Sequence, residues 1–418
     1  MGEKNMTRSD YILNDDSAIP VMAWVGPSGD MIRPDVMHAM AEAGFNLSLS
    51  QPHANGVEKA LDVAHKAGVR LILQLEGFDL GRMTPEQGSA FKLAKAQKDT
   101  IRKAVKQVID HPGLYGYHIH DEPSLAEYSW IRQVIEEIEA IDAYHMCYVN
   151  HNAPVIQGGY GAGTQEALWR LFIKETHPKY LSYDHYCVEQ RPQDVVRSLG
   201  PDAPNVFGGG TVVKPDYFAS LDFARNFCAI LDLPLWAFTC STPHWSYPWP
   251  TEGHIRFQLM CCLAYGARGL QYFTYMGDQA LCTLKGESTA TWEIAKKVNG
   301  EVHAMWKHLK GLRSIGVVHN GPVWPGTRPQ MPTPIEQWGA DHRGPKFHCT
   351  GDPAVIGLFD NPKGEMFALV VNRNPVSGAS ISMDPSLDDR VPHKWHPLRP
   401  GEGRLFRLHA DKVPEAVA

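Results

Sequence analysis

Through the first two-thirds of the chain, short apolar runs alternate with longer stretches whose apolar residues recur at three- and four-residue spacing. That alternation predicts parallel strands joined by crossover helices. The eight runs are Pro20 to Val25, Phe45 to Leu49, Val69 to Leu75, Tyr115 to His120, Tyr144 to Val149, Tyr180 to Asp184, Leu233 to Thr239 and Gly269 to Tyr275. The intervening helices are expected at Arg33 to Ala43, Gly56 to Ala67, Pro85 to Asp110, Ser124 to Ile141, Thr164 to Glu175, Tyr217 to Leu231, Thr251 to Ala267 and Ser288 to Leu312. Ala43-Gly44-Phe45, Ala67-Gly68-Val69 and Ala267-Arg268-Gly269 repeat one device, a glycine between helix and strand. Glycine reaches the left-handed conformation that closes a helix, so these read as turns at the bottom of a barrel. Eight such units predict an α/β fold, a (β/α)8 TIM barrel over residues 1–319. An open doubly wound sheet would carry a phosphate-binding glycine turn after its first strand, and Val25-Gly26-Pro27-Ser28-Gly29 leads into no such helix start.

After His319 the pattern changes. Asn320 to Gly351 is rich in proline and glycine, and strand-like stretches follow at Ala354 to Phe359, Met366 to Val371 and Ala379 to Met383. Asp360-Asn361-Pro362-Lys363-Gly364 separates the first two like a hairpin loop. Residues 320–418 therefore read as a C-terminal antiparallel β-sandwich domain.

A formal charge of −6 gives no basic surplus to draw nucleic acid or an anionic membrane surface. A neutral or weakly polar partner fits better. The first residues, Met1 to Asp16, hold no apolar run of the length a signal peptide or membrane helix needs, so a cytoplasmic location is expected. The eight cysteines show no C-x-x-C spacing, and they read as reduced, mostly buried thiols.

In a barrel the reacting groups lie just past the C-terminal ends of the strands. Those positions here hold Trp24; Gln51 and His53; Glu76; His120-Asp121-Glu122-Pro123; Asn150-His151-Asn152; Asp184-His185-Tyr186; Cys240 and His244; and Tyr275 and Asp278. The fourth run is the most telling, because two adjacent acids are followed by a proline that turns the chain out of the strand and leaves Glu122 at the rim. A glutamate in a partly apolar cleft can serve as a general acid toward a glycosidic oxygen. The plainer alternative is that Asp121 or Glu122 caps the helix starting at Ser124. Glycoside hydrolysis needs a second carboxylate, for which Asp184 is the first candidate and Glu76 the next. Glu252, in a first helical turn, is explained by the helix dipole. Trp24, Tyr186, Trp245, Tyr247, Trp249, Tyr272 and Tyr275 crowd the same rim, and such rings stack on the C–H faces of sugars, though large aromatics also bury for packing alone.

These features together resemble barrel glycoside hydrolases related to clan A, in particular bacterial glycosidases with a G-Y-x-x-x-D-E-P strand. The resemblance is carried by Pro20-Val21-Met22-Ala23-Trp24, Ala43-Gly44-Phe45-Asn46, Gly116 to Pro123, Leu263-Ala264-Tyr265-Gly266-Ala267, Gln271 to Tyr275 and Phe367 to Asn372. It implies that Glu122 is the acid/base, with Asp121 standing where the clan has asparagine. The clan's nucleophile belongs on the seventh strand, where this chain reads Trp236-Ala237-Phe238-Thr239-Cys240-Ser241, with no carboxylate. Asp184 or Glu76 would have to serve instead, with an inverting, water-mediated route open to either.

The reading is thus a hydrolase of small oligosaccharides or glycosides, with Trp24, Gln51, His120, Asp121, Asn150, His151, His185, Tyr186, His244, Trp245, Tyr272 and Tyr275 as sugar-binding candidates and no cofactor or metal. Two rivals stand beside it. His118-Ile119-His120 has the spacing of a metal-binding pair, although the first strand supplies no ligand. A silent sugar-binding barrel is the other, because a fold alone does not guarantee activity.

Overall fold

The computed structural model describes residues 11–154, 163–200, 203–321, 347–384, 393–409 and 413–418. Among the described residues the strands begin with β1 (Val21–Ala23), β2 (Leu47–Ser50), β3 (Arg70–Leu73), β4 (Leu114–Asp121), β5 (Met146–Asn152) and β6 (Leu181–Asp184). A two-stranded antiparallel ribbon of β7 (Val188–Gln190) and β8 (Thr211–Val213) follows, and then β9 (Leu235–Cys240) and β10 (Gly269–Phe273). Strands β1 to β6, β9 and β10 close into one parallel barrel. All eight apolar runs are barrel strands; the ribbon was not anticipated, because its strands are only three residues long.

The helices follow the expected periodicity. They are α1 (Pro34–Glu42), α2 (Val57–Lys66), α3 (Pro85–Ala90), α4 (Lys95–Val108), α5 (Tyr128–Glu139), α6 (Gln165–Thr176), α7 (Gln193–Ser198), α8 (Tyr217–Leu231), α9 (Glu252–Ala264) and α10 (Ala290–Leu309). In α2 the buried positions Val57, Ala60, Leu61 and Ala64 form one stripe. The single helix expected over 85–110 is two, because Thr84 with Gln87 caps one start and the Gln97 side chain bonds the Ala94 amide at another. Gly44 and Gly68 take φ of 80° and 82° as expected, but before β10 the left-handed residue is Gly266 rather than Gly269. Gly269 is needed for another reason: a Cβ there would lie 2.2 Å from the Trp236 ring.

The barrel interior is aromatic. Trp236 packs on Tyr115 and Tyr180, Tyr148 stacks on Tyr180, and Trp24 lies edge-on to His118 and Phe238. All eight cysteines are buried and unpaired.

The C-terminal strands are β11 (Arg313–Asn320), β12 (His348–Gly351), β13 (Ala354–Asp360), β14 (Met366–Asn372), β15 (Ala379–Asp384), β16 (Trp395–Leu398), β17 (Gly403–Leu408) and β18 (Glu415–Ala416). They form an antiparallel five-stranded sheet, β11-β13-β14-β17-β18, and a three-stranded sheet, β12-β15-β16. Ile356, Leu358, Val370 and Phe406 of the first sheet share one core with Ile381, Met383 and Leu398 of the second, which makes a β-sandwich. The expected hairpin joins β13 to β14, with the Asn361 carboxamide accepting from the Lys363 and Glu365 amides. Most of the Pro- and Gly-rich stretch before β12, residues 322–346, lies outside the described residues. By contact the chain divides into two compact units: Met1–His185 with Leu231–Phe238 and Gly269–Lys296, and Tyr186–Ile230 with Thr239–Arg268 and Lys297–Ala418. Among the described residues no helix is long and apolar enough to cross a membrane.

Candidate active site

Alternation along a strand decides which side chains enter the barrel. On β5, Tyr148 and Asn150 point inward, and on β6 and β10 so do Ser182 and Gln271. These four are joined by hydrogen bonds. Gln271 Nε2 donates to Ser182 Oγ at 2.9 Å, Ser182 Oγ donates to Asn150 Oδ1 at 2.8 Å, and Asn150 Nδ2 donates to Asp121 Oδ1 at 3.2 Å. The Tyr148 hydroxyl donates to Gln271 Oε1 and lies 3.1 Å from Ser182 Oγ. Four strands are thus tied by a buried chain of donors that ends on the Asp121 carboxyl.

Burial, and then the charge of Glu122, push the Asp121 carboxyl up to about 6, against the Asn150 bond and the charges of His120 and Arg82. Burial first, then neighbouring Tyr180, raises the Tyr148 phenol well above its ordinary value, and Asp121 and Asp184 both add to that rise. Tyr148 therefore lies within electrostatic reach of both acids.

Glu122 has φ of +48°, a left-handed conformation that side-chain-bearing residues rarely adopt. Its amide donates to the Asn150 carbonyl at 2.9 Å, and its own carbonyl accepts from Arg82 Nη1 at 2.6 Å. Arg82 Nη2 also reaches the Asp121 carbonyl at 3.1 Å, so one guanidinium holds both peptide oxygens of the turn. The helix start beyond is served by buried Glu127, whose carboxylate accepts from the Ser124 and Met83 amides. Asp121 and Glu122 are therefore free of the capping role, and among the described residues every hydrogen bond of Glu122 is made by its backbone.

Register gives the span to Asp184. Asp121 is level with Asn150 and Asn152 with Asp184, so Glu122 and Asp184 sit two strands apart and one residue out of level. At about 4.8 Å between strands and about 3.3 Å per residue, their Cα atoms are on the order of 10 Å apart. Glu76 lies in a turn beyond β3 and is exposed.

Several sugar-binding candidates occupy other places. His151 alternates outward, fully buried against Phe172 and Trp169, and burial holds its imidazole down to about 3. Tyr272 and Tyr275 are both fully buried on Phe45, Tyr272 because Gln271 takes the inward position on β10 and Tyr275 beyond the end of that strand. Gln51 is exposed beyond β2, and among the described residues its hydrogen bonds are those of its backbone with Ser28 and Gly29. Trp24 lies inside the barrel, between His118, Tyr148 and Phe238. His185 is buried just past β6.

His118 and His120 diverge, with a register shift between them. His118 faces Trp24 and Tyr148 and is kept neutral by burial, at about 4. His120 packs its edge on Trp130 and bonds Asp79 at 3.0 Å. The pair does not converge as metal ligands would, and among the described residues no three His, Cys, Asp or Glu side chains are arranged to hold an ion. Sequence reasoning missed Asp79, which sits in the loop after β3, and Arg82 beside it; nothing in their local pattern marks either one.

The second compact unit holds the remaining aromatic candidates. Tyr186, His244 and Tyr247 form a cluster with ring centroids 4.7 to 5.9 Å apart, and Lys214 Nζ donates to the Tyr247 hydroxyl. Trp245, beside His244, is 96% exposed and also left-handed, at φ of +49°. Ser246 anchors this loop by donating to Glu189 at 2.9 Å. Glu252 is held below its ordinary value against its own burial by Lys297 and Arg256, so it acts as part of an ion network.

No protein-family model matches the chain, and no curated protein matches it. Among solved structures it is similar to an endo-beta-1,4-mannanase from Thermotoga petrophila, at 10% identity and a TM-score of 0.47, over 93% of this chain and 98% of that one. A glycoside hydrolase family 5 mannosidase from Rhizomucor miehei is 14% identical with a TM-score of 0.44, over 70% of this chain and 95% of that one. Xylanase 10B from Thermotoga petrophila is 10% identical with a TM-score of 0.44, over 72% and 99%.

Proposed function

We propose that this protein is a glycoside hydrolase that cleaves a small oligosaccharide or glycoside by carboxylate acid/base chemistry. One observation carries the reading: the barrel's fourth strand ends in two adjacent acids, one with a carboxyl raised to about 6 and one whose carboxylate has no hydrogen bond among the described residues. A carboxyl raised in this way keeps its proton nearer to neutrality directly beside the Glu122 side chain, and protonation of a leaving group needs a proton source in that range.

In this mechanism Glu122 gives its proton to the glycosidic oxygen as the bond from that oxygen to the anomeric carbon breaks. Asp184, or failing it Glu76, accepts a proton from the water whose oxygen bonds to the anomeric carbon. For this inverting route the two carboxyls must stand about 6.5 to 9.5 Å apart, which leaves room for the water between them. Asn150, Asp121 and Trp24 would hold the sugar, and Tyr186, His244 and Trp245 would offer stacking faces within their own unit. No cofactor takes part.

The test is turnover of a panel of aryl glycosides and unmodified disaccharides by the wild type and by Glu122→Gln. The proposal requires kcat on an unactivated substrate to fall at least about 100-fold in the variant, and less on substrates with a good leaving group. Equal turnover by both proteins would remove Glu122 from the mechanism; saccharide binding without turnover by the wild type would identify a silent sugar-binding barrel.

A further inference from the structure

The hydrogen bonds that cross the barrel all run in one direction. A carboxamide nitrogen only donates, a carbonyl oxygen only accepts, and a hydroxyl has a single hydrogen to give. The Tyr148 hydroxyl gives its hydrogen to Gln271 Oε1, which leaves Gln271 Nε2 to face Ser182 Oγ at 2.9 Å. Ser182 gives its hydrogen in turn to Asn150 Oδ1 at 2.8 Å, which leaves Asn150 Nδ2 to face Asp121 Oδ1 at 3.2 Å. Tyr148, Ser182, Gln271 and Asn150 are all buried, so bulk water does not compete for these bonds, whereas Asp121 is partly exposed. With the opposite direction Asn150 would turn its carbonyl oxygen to Asp121, and only a carboxyl with its hydrogen on Oδ1 could meet it.

We propose that Ser182 is a positioning residue of the acid pair: by giving its one hydrogen to Asn150 it turns that carboxamide's nitrogen toward Asp121, which makes Asp121 Oδ1 an acceptor and leaves Oδ2 to carry the carboxyl hydrogen. The orientation follows from the hydrogen-bond chain alone, and only its part in turnover rests on the glycosidase reading. Burial and then the Glu122 charge raise the Asp121 carboxyl; the Asn150 bond, His120 on the same strand and Arg82 from the loop after β3 oppose them. Tyr148 on β5 lies within electrostatic reach of Asp121 and of Asp184 on β6. Ser182 and Gln271 carry no charge, so their influence on the carboxyl passes through the Asn150 amide. A change at Ser182 thus alters the direction of one hydrogen bond and leaves every neighbouring charge in place.

The experiment is 13C NMR of protein labelled at the aspartate carboxyls, titrated with pH, with the Asp121 signal assigned by its loss in Asp121→Asn. Ser182→Ala should move the Asp121 midpoint upward by about one pH unit, the equivalent of a weakened hydrogen bond to a charged group. Ser182→Thr keeps the hydroxyl and should return the midpoint to the wild-type position. Tyr148→Phe takes away the hydrogen that sets the Gln271 amide, and should move the midpoint the same way by less. A midpoint unmoved in Ser182→Ala, or unmoved in Tyr148→Phe where the alanine protein does not fold, would overturn the assignment, as would a displacement by threonine equal to that by alanine. On the substrate found by the glycoside panel, the kcat–pH profile of Ser182→Ala should follow the NMR midpoint to higher pH, with KM within about threefold of the wild type. A profile that ignores the midpoint would remove Ser182 from turnover. A protein with the expected NMR titrations that turns over no glycoside would keep Ser182 as the positioning residue of Asp121 and sink the glycosidase reading.

Discussion

Arg82 donates one nitrogen to the Glu122 carbonyl and the other to the Asp121 carbonyl, so a side chain from the loop after β3 fixes the backbone of the two acids that end β4. The turn it holds contains a left-handed glutamate, a conformation that costs of order 1–3 kcal/mol when the surroundings do not enforce it.

Replacing Arg82 by methionine should therefore disturb the acids more than the fold. Arg82 is largely exposed, so unfolding by urea should show a loss within about 1 kcal/mol. Glycoside turnover should fall about tenfold or more, because a displacement of the acid by even 1 Å is expensive in rate. Full activity in Arg82→Met would show that the turn holds without its guanidinium.

Asn150→Ala removes the donor to Asp121 and the acceptor for Ser182 together. The buried hydroxyl and the carboxyl lose partners, and the expected cost is about 1–3 kcal/mol by equilibrium unfolding. Asn150→Asp keeps the acceptor but adds a charge beside Asp121, and it should raise the Asp121 carboxyl further above about 6.

Asp121 and the buried histidines give opposite pH slopes. The Asp121 carboxyl is raised from 3.8 to about 6, so its favourable contribution is complete below the unfolded value and disappears as pH rises through about 6. Asp121→Asn should accordingly stabilise the protein at pH 8, by about 2 kcal/mol after allowance for partial exposure, and leave it nearly unchanged at pH 4. Denaturant titrations of both proteins at the two pH values read this directly.

Burial lowers His118 and His254 from 6.5 to about 4, and His151 and His319 to about 3. Their contribution is present above 6.5 and lost as pH falls from there toward 4 and 3. Four such groups outweigh one aspartate, so net stability should decline between pH 6.5 and 4. His151→Phe, placed among Phe172 and Trp169, should stay folded to a lower pH than the wild type, as followed by circular dichroism.

Trp245 is 96% exposed and should tolerate alanine within about 0.5 kcal/mol of stability. If its face binds sugar, KM for an oligosaccharide should rise severalfold in Trp245→Ala while KM for a small aryl glycoside stays put. Identical KM values for both substrates would leave the exposed ring without a role in binding.

Much of this architecture was legible in the chain. All eight barrel strands were readable because each is a short buried run, and a strand covered on both faces must be apolar along its length. The acids at the end of β4 were readable too, because proline after Asp121-Glu122 marks where the strand stops. The inward or outward sense of single residues was not. Tyr272 and His151 look like rim residues in the sequence, yet the strand phase turns them into the layer of helices, while Gln271 and Asn150 take the inward places. A one-residue change of phase moves a side chain from one face of the sheet to the other, and composition carries no record of it.

By itself, then, the sequence determined the order of strands and helices, the barrel class and the strand end that carries two acids, since these depend on local periodicity and on where proline and glycine break it. Only the tertiary structure decided what surrounds the acids. Asp79 and Arg82 come from a loop about forty residues earlier in the chain, and Ser182 and Gln271 come from strands across the barrel. Barrel closure brings these residues to within 3.2 Å of their partners, and proximity of that kind follows from the register of the whole sheet, which no local stretch of sequence specifies.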